Sequence, residues 1–290
     1  MALDWPWHFV VLATPAEKQQ RRELLDLRGF YAQISVVAAV TAVRLYGSYS
    51  RVAGPGKQTP RPQDRHRSWW DSPPVAGWSE TRRQYAIILV WLVWLVCLSM
   101  WKTGDDYLHL TKALGHVGLS QLPVQVLMSP AFYLSASTPA ASSVMSVLTG
   151  LPQHTLTAYH RLFGRAVVSP LLVGHAVLYL SFFAQSSHPE FSSLLVKRLQ
   201  DDDVQCGLFA LTMAVSVLLF VRPVGNPRWL RGWSSGSLRA KRQAFYYTHL
   251  LLVGTFAAAA YYHVAQAQAF VLQALGAFVV NVGCCWVMAQ

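Results

Sequence analysis

A succession of about seven apolar runs, each near the length of a membrane-crossing helix, constrains this 290-residue chain more than any other feature. The runs fall at about Phe30–Ser48, Tyr85–Trp101, Leu114–Leu134, Ala158–Ala184, Val204–Val221, Ala244–Ala265 and Ala269–Ala289. A helix needs roughly twenty apolar residues to cross a bilayer. With 53% hydrophobic residues and a mean hydropathy of +0.29, the composition excludes an ordinary soluble domain. The expected fold is all-α, a polytopic membrane bundle of about seven helices. Pro123 and Pro130 interrupt the third run, which is expected to be broken or partly re-entrant.

Charge orients the bundle. The net charge of +11 would suit nucleic acid on a soluble domain, but here the basic residues flank spans, which argues against a nucleic-acid partner. The loop 49–84, rich in Pro, Gly, Arg and Trp, holds Arg51, Lys57, Arg61, Arg65, Arg67, Arg82 and Arg83. A second loop holds Arg222, Arg228, Arg231, Arg239, Lys241 and Arg242. Both are expected in the cytosol, with Asp105–Asp106 and Asp201–Asp203 on the far side. The first residues, MALDWPWHFVVLATP, lack a basic n-region and are expected to stay on the chain.

Four histidines lie inside these runs, as two pairs. Buried histidine in a membrane is costly and marks function by default. The fourteen-residue step from His249 to His263 and the fifteen-residue step from His160 to His175 correspond to about 21 and 22 Å of helix rise. Topology makes the two helices parallel, so the depths match. The reading is axial ligation of two stacked haems, His160 with His249 and His175 with His263. At about 100° per residue the first pair is out of rotational register with the second, and Pro170 is expected to bend the helix and repair this. Core histidines or a transporter path are the competing readings.

Further residues carry a family resemblance. Tyr159-His160-Arg161-Leu162-Phe163-Gly164-Arg165, followed by His175-Ala176, resembles the HRxxGR segment of the fungal ferric reductase and NADPH oxidase superfamily. Phe245-Tyr246-Tyr247-Thr248-His249, ending in Tyr261-Tyr262-His263, is similar to that superfamily's second haem-binding helix. Supporting similarity runs from about Leu114 to Ala274, including Leu148–Leu151 and Phe270–Leu275.

The resemblance implies a ferric-reductase-like transmembrane domain over 114–290, binding two haem b through His160, His175, His249 and His263. Ahead of it stand an extracytosolic segment, 1–29, and a unit of two helices, 30–113. The family's first-pair spacing is one residue shorter than here. Arg161 and Arg165, near the cytosolic face, are candidates for pairing with haem propionates, with lipid phosphate or snorkelling as the equal alternative. In such proteins cytosolic NADPH reduces FAD, and electrons leave through the haems to ferric or cupric chelates. After Gln290 no flavin motif follows, and no GxGxxG opens a strand–helix unit. FAD and NADPH are therefore expected on a missing or separate reductase module. The alternatives are a haem-free transporter or regulatory subunit of the same fold, or a superoxide-producing oxidase component. The plasma membrane is favoured over vacuole or reticulum.

The remaining candidates are weaker. His109 with Asp105 and Asp106 would hold a metal substrate only loosely. Phe256, midway between His249 and His263, would fill the space between the haems or serve as ordinary packing. His116 and His154 read as interface or loop residues, and His8, His66 and His188 as solvent-facing. Cys97, Cys206, Cys284 and Cys285 show no CxxC pattern and read as small apolar residues.

Overall fold

The computed structural model describes residues 14–52, 68–130, 142–185, 193–220 and 238–289, with residues 10 and 12. All regular elements among them are helical: α1 Pro15–Val52, α2 Arg82–Met100, α3 Tyr107–Ser120, α4 Leu122–Leu127, α5 Val144–Thr149, α6 Gln153–Phe163, α7 Ser169–Gln185, α8 Leu194–Arg198, α9 Asp202–Phe220, α10 Leu238–His263 and α11 Ala265–Met288. A 3-10 turn, Trp69–Asp71, precedes α2, and a π turn, Gly164–Val168, joins α6 to α7.

Among the described residues, five helical stretches are long and apolar enough to cross a membrane: Pro15–Arg51, Arg82–Met100, Gln153–Gln185, Asp202–Leu219 and Ala265–Met288. The chain is an integral, multi-pass membrane protein. α10, at 26 residues, begins in the basic residues Arg239, Lys241 and Arg242. The third apolar run is broken, as its prolines suggest. α3 ends at Ser120, and α4 restarts at Leu122 with Pro123 in its first turn, where a missing N–H orphans nothing. The end of that run, the basic stretch 53–67 and the loop 222–231 lie outside the described residues, as do His8, His66 and His188.

The first helix departs from expectation. It starts at Pro15 rather than Phe30, so much of the expected 1–29 segment is helix. Thr14 and Glu17 form a reciprocal cap, each side chain accepting the other's backbone N–H at 3.2 and 3.1 Å. The polar residues that disguise this half of the helix find partners across the bundle. Arg21 pairs with Asp106, and Asp26 accepts from His116 Nε2 at 3.0 Å. Arg28, fully buried, donates to the Trp101 carbonyl from Nε at 3.0 Å and meets His109 Nε2 at 2.9 Å.

Two apolar clusters organise the bundle. One gathers Ala32, Ile88, Leu95, Val117, Leu162 and Leu171 from α1, α2, α3, α6 and α7. The other gathers Leu119, Ala260, Ala267, Phe270 and Val271 from α3, α10 and α11. Val37, Val90, Leu251, Val279 and Val287 face outward, as a lipid-facing surface requires.

Candidate functional site

The continuous rod of α6, π turn and α7 faces α10 across two pairs of imidazoles. The His160 and His249 rings lie 6.3 Å apart between centroids, crossed at 75°. Those of His175 and His263 also lie 6.3 Å apart, crossed at 61°. The pairs form in the same order along both rods, so the rods are parallel, as the charge pattern implies.

The register of the first rod comes from the π turn. Ser169 N–H bonds the carbonyl of Gly164, five residues back, and a turn closed this way takes up one residue more than an α turn. The fifteen residues from His160 to His175 therefore do the work of fourteen. The expected repair by a bend at Pro170 is corrected accordingly. Pro170 has no N–H to give, and its ring would crowd the carbonyl of Ala166 in a regular helix; the turn just ahead of it widens instead.

Three of the four rings are anchored at Nδ1 by backbone carbonyls. His160 donates to Gln125 at 2.8 Å, His175 to Thr111 at 2.7 Å and His263 to Asp203 at 2.5 Å. Such a bond fixes the tautomer and leaves Nε2 as the nitrogen free to coordinate a metal. The carbonyl of Gln125 is available because α4 ends two residues later, among acceptors with no helical partner. The Gln125 side chain returns the contact, donating from Nε2 to the His160 carbonyl at 2.9 Å.

At the other level the acceptors sit inside helices, and glycine makes them reachable. Gly115 follows Thr111 by one turn, and Gly207 follows Asp203 by one turn. A Cβ on Gly115 would stand 2.9 Å from His175 Cγ, and one on Gly207 would stand 2.7 Å from His263 Cε1. Each ring occupies the space that a side chain would take. His249 is held differently: its ring stacks on Phe245 at 5.8 Å and 13°, with no hydrogen-bond acceptor among the described residues.

This arrangement fits a metal centre between each pair. Two imidazole nitrogens at about 2 Å from a shared metal, each about 1 Å from its ring centre, separate the ring centres by about 6 Å. The glycine cradles and the outward-anchored Nδ1 atoms serve that geometry. Gln125 Oε1, beside His160, is a buried acceptor with no protein partner. Between the two levels the bundle is apolar: Phe256, Leu122 and Leu172 pack on the cluster around Phe270.

Arg161 and Arg165 go elsewhere in this structure. Both reach the buried carboxylate of Glu80, at 3.5 and 3.8 Å. Arg161 also donates to Ser79 Oγ at 3.4 Å, and Arg165 to the Tyr85 hydroxyl at 3.0 Å. A buried carboxylate needs such partners, and the sequence gives no sign that Glu80 is one. The contacts set the His160 level beside the basic loop before α2.

The His175 level lies at the acidic end. Arg198 donates to the Tyr179 hydroxyl at 2.9 Å and pairs with Asp201 and Asp203, while the Tyr179 ring lies 6.0 Å from that of His175. Burial pulls the pKa of Arg198 down, but Tyr179 and the two aspartates outweigh it and the net direction is upward.

The loose metal-substrate reading of His109 is corrected. His109 is buried against Arg28, and Asp106 caps α3 through His109 N–H at 3.0 Å while pairing with Arg21. His116 is an interface residue, bonded to Asp26 with its ring against Phe270. His154 is exposed. Among the described residues the four cysteines form no disulfide, with Cys97 exposed and Cys285 buried. Among the described residues no cluster of three or more His, Cys, Asp or Glu is placed to hold a metal ion.

Sequence reasoning missed the carbonyl acceptors, the two glycine cradles and Gln125. The glycines' spacing, one turn after an acceptor on neighbouring helices, is the only trace they leave in the sequence.

Residues 114–260, just over half of the chain, match the family described as ferric reductase like transmembrane component. The match contains His160, His175 and His249 and stops three residues before His263. No curated protein and no solved structure gave a significant match.

Proposed function

Because the chain belongs to the ferric-reductase-like transmembrane family, we propose that it conducts electrons across a bilayer through two bis-histidine b-type haem sites, as the membrane part of a ferric- or cupric-chelate reductase. The observation that carries this reading is the repeated 6.3 Å spacing of two imidazole pairs at two depths. Haem iron at each level would supply one-electron exchange between its ferric and ferrous states.

The chain's own residues do the rest. His160, His175 and His263 present Nε2 because Nδ1 is committed to a carbonyl, and His249 presents its ring against Phe245. The imidazoles need little reorientation to take a metal, which favours fast electron exchange. Phe256, Leu122 and Leu172 keep the space between the levels apolar and dry. His160 with His249 and His175 with His263 would fill the protein-derived positions of each haem iron, so an acceptor would be reduced at the edge of the acidic, extracytosolic end.

The proposed electron donor is a flavin and NADPH module on the cytosolic side, beside the Arg161–Glu80–Arg165 contacts. The proposed location is the plasma membrane. The experiment is transmembrane reduction in proteoliposomes, with dithionite outside and ferric citrate entrapped inside. The reading predicts ferrous iron inside only when the chain carries all four histidines. Entrapped iron reduced equally in protein-free vesicles and with the His175→Ala, His263→Ala double variant would overturn it.

A further inference from the structure

We infer that the two imidazole pairs are unequal by construction, the His175–His263 pair being the stronger donor to its metal and therefore the site of more negative potential. The inference rests on the haem reading above. Both imidazoles of the His175–His263 pair donate Nδ1–H to a helix carbonyl, at 2.7 and 2.5 Å. In the other pair, among the described residues, only His160 does so, at 2.8 Å, while His249 is held by its stack on Phe245. A hydrogen bond from Nδ1–H raises the basicity of the opposite nitrogen. Stronger donation stabilises the higher oxidation state and lowers the potential.

Local charge does not cancel this difference, because Arg161 and Arg165 share one carboxylate, Glu80, at the His160 level, whereas Arg198 meets two, Asp201 and Asp203, at the other. The device is specific to two helix positions. In α3 the Thr111 carbonyl already faces Gly115 N–H, and in α9 the Asp203 carbonyl faces Gly207 N–H. Each carbonyl takes the imidazole as a second donor because the glycine has no side chain to block the ring. Thr111–Gly115 and Asp203–Gly207 are positioning pairs for the outer site. The site from which electrons leave the membrane is thus the stronger reductant. Filling it from the inner site is favoured by a membrane potential that is negative in the cytosol.

The test is a spectroelectrochemical titration of the full chain in detergent, after haem content is fixed by pyridine haemochrome. The wild type should titrate in two steps, and His249→Ala, which keeps the outer haem, should retain the lower one. Gly207→Ala, which drives the His263 ring off its carbonyl, should raise the lower step alone. Gly254→Ala, whose Cβ meets nothing within 4 Å, should move neither. If Gly207→Ala loses the outer haem, Gly115→Ala makes the same test through His175. A single unresolved step in the wild type, a lower step that belongs to the inner pair, or glycine variants that move both steps equally or neither would overturn the inference. Absence of haem in the first assay would instead overturn the haem reading, before any potential is measured.

Discussion

His263 donates from Nδ1 to the main-chain carbonyl of Asp203 at 2.5 Å, so the imidazole that closes α10 is oriented by the first turn of α9. The Asp203 side chain pairs with Arg198, which donates to Tyr179, whose ring lies 6.0 Å from His175. Four helices thereby meet around the outer imidazole pair, and the His263 ring takes its orientation from a backbone carbonyl.

Loss of one imidazole should empty one level only. His249→Ala is expected to remove the inner haem and His263→Ala the outer, each leaving half the haem content with a low-spin spectrum. Pyridine haemochrome and electron paramagnetic resonance check this. Full haem content in either variant would show that the pairing is wrong.

The π turn predicts an asymmetry between deletions. Removing Ala166 in a Pro170→Ala background, which restores the missing N–H and relieves the ring's crowding, should convert the turn to a regular helical one and keep His160 and His175 in register, since fourteen residues then separate them. Removing Ala258, between His249 and His263, rotates the two by about 100° relative to one another. The first variant should retain both haems and the second should lose the outer one, as read by the Soret absorbance per chain.

Arg28 should be intolerant of substitution. It serves the Trp101 carbonyl through two nitrogens and His109 through a third. Arg28→Met leaves the buried His109 and the partly buried Trp101 carbonyl without their donor, at about 3 kcal/mol from hydrogen bonds to a charged group and unmet desolvation. Arg28→Lys should rescue little of this, because an ammonium cannot reproduce the planar fork. Thermal unfolding in detergent measures both.

Arg161 and Arg165 should be redundant singly and costly together. Either alone leaves Glu80 one cation, and because both side chains are substantially exposed each single alanine variant should cost about 1 kcal/mol or less. The double variant strands a buried carboxylate and should lose more than the sum. A double-mutant cycle on thermal stability decides it; strict additivity would show that the shared carboxylate does not couple them.

The parts of the fold legible in the sequence are those written in side chains. The two histidine pairs stand out because spacing fixes depth, and Pro123 announces the break before α4. The first half of α1 was hidden because Arg21, Asp26 and Arg28 read as polar until their partners on α3 and at the end of α2 are known. The role of Glu80 was hidden for the same reason. The anchoring of His160, His175 and His263 rests on carbonyls, which every residue has, and the one-residue excess between His160 and His175 shows as a mismatch without revealing the π turn that absorbs it.

The most direct measurement is the dithionite-reduced minus oxidised spectrum of the purified chain, with haem-to-protein stoichiometry by pyridine haemochrome. Two low-spin b-type haems per chain is the predicted result. A chain purified from haem-replete cells without a Soret band would contradict it, leaving the imidazole pairs as a feature of the fold alone.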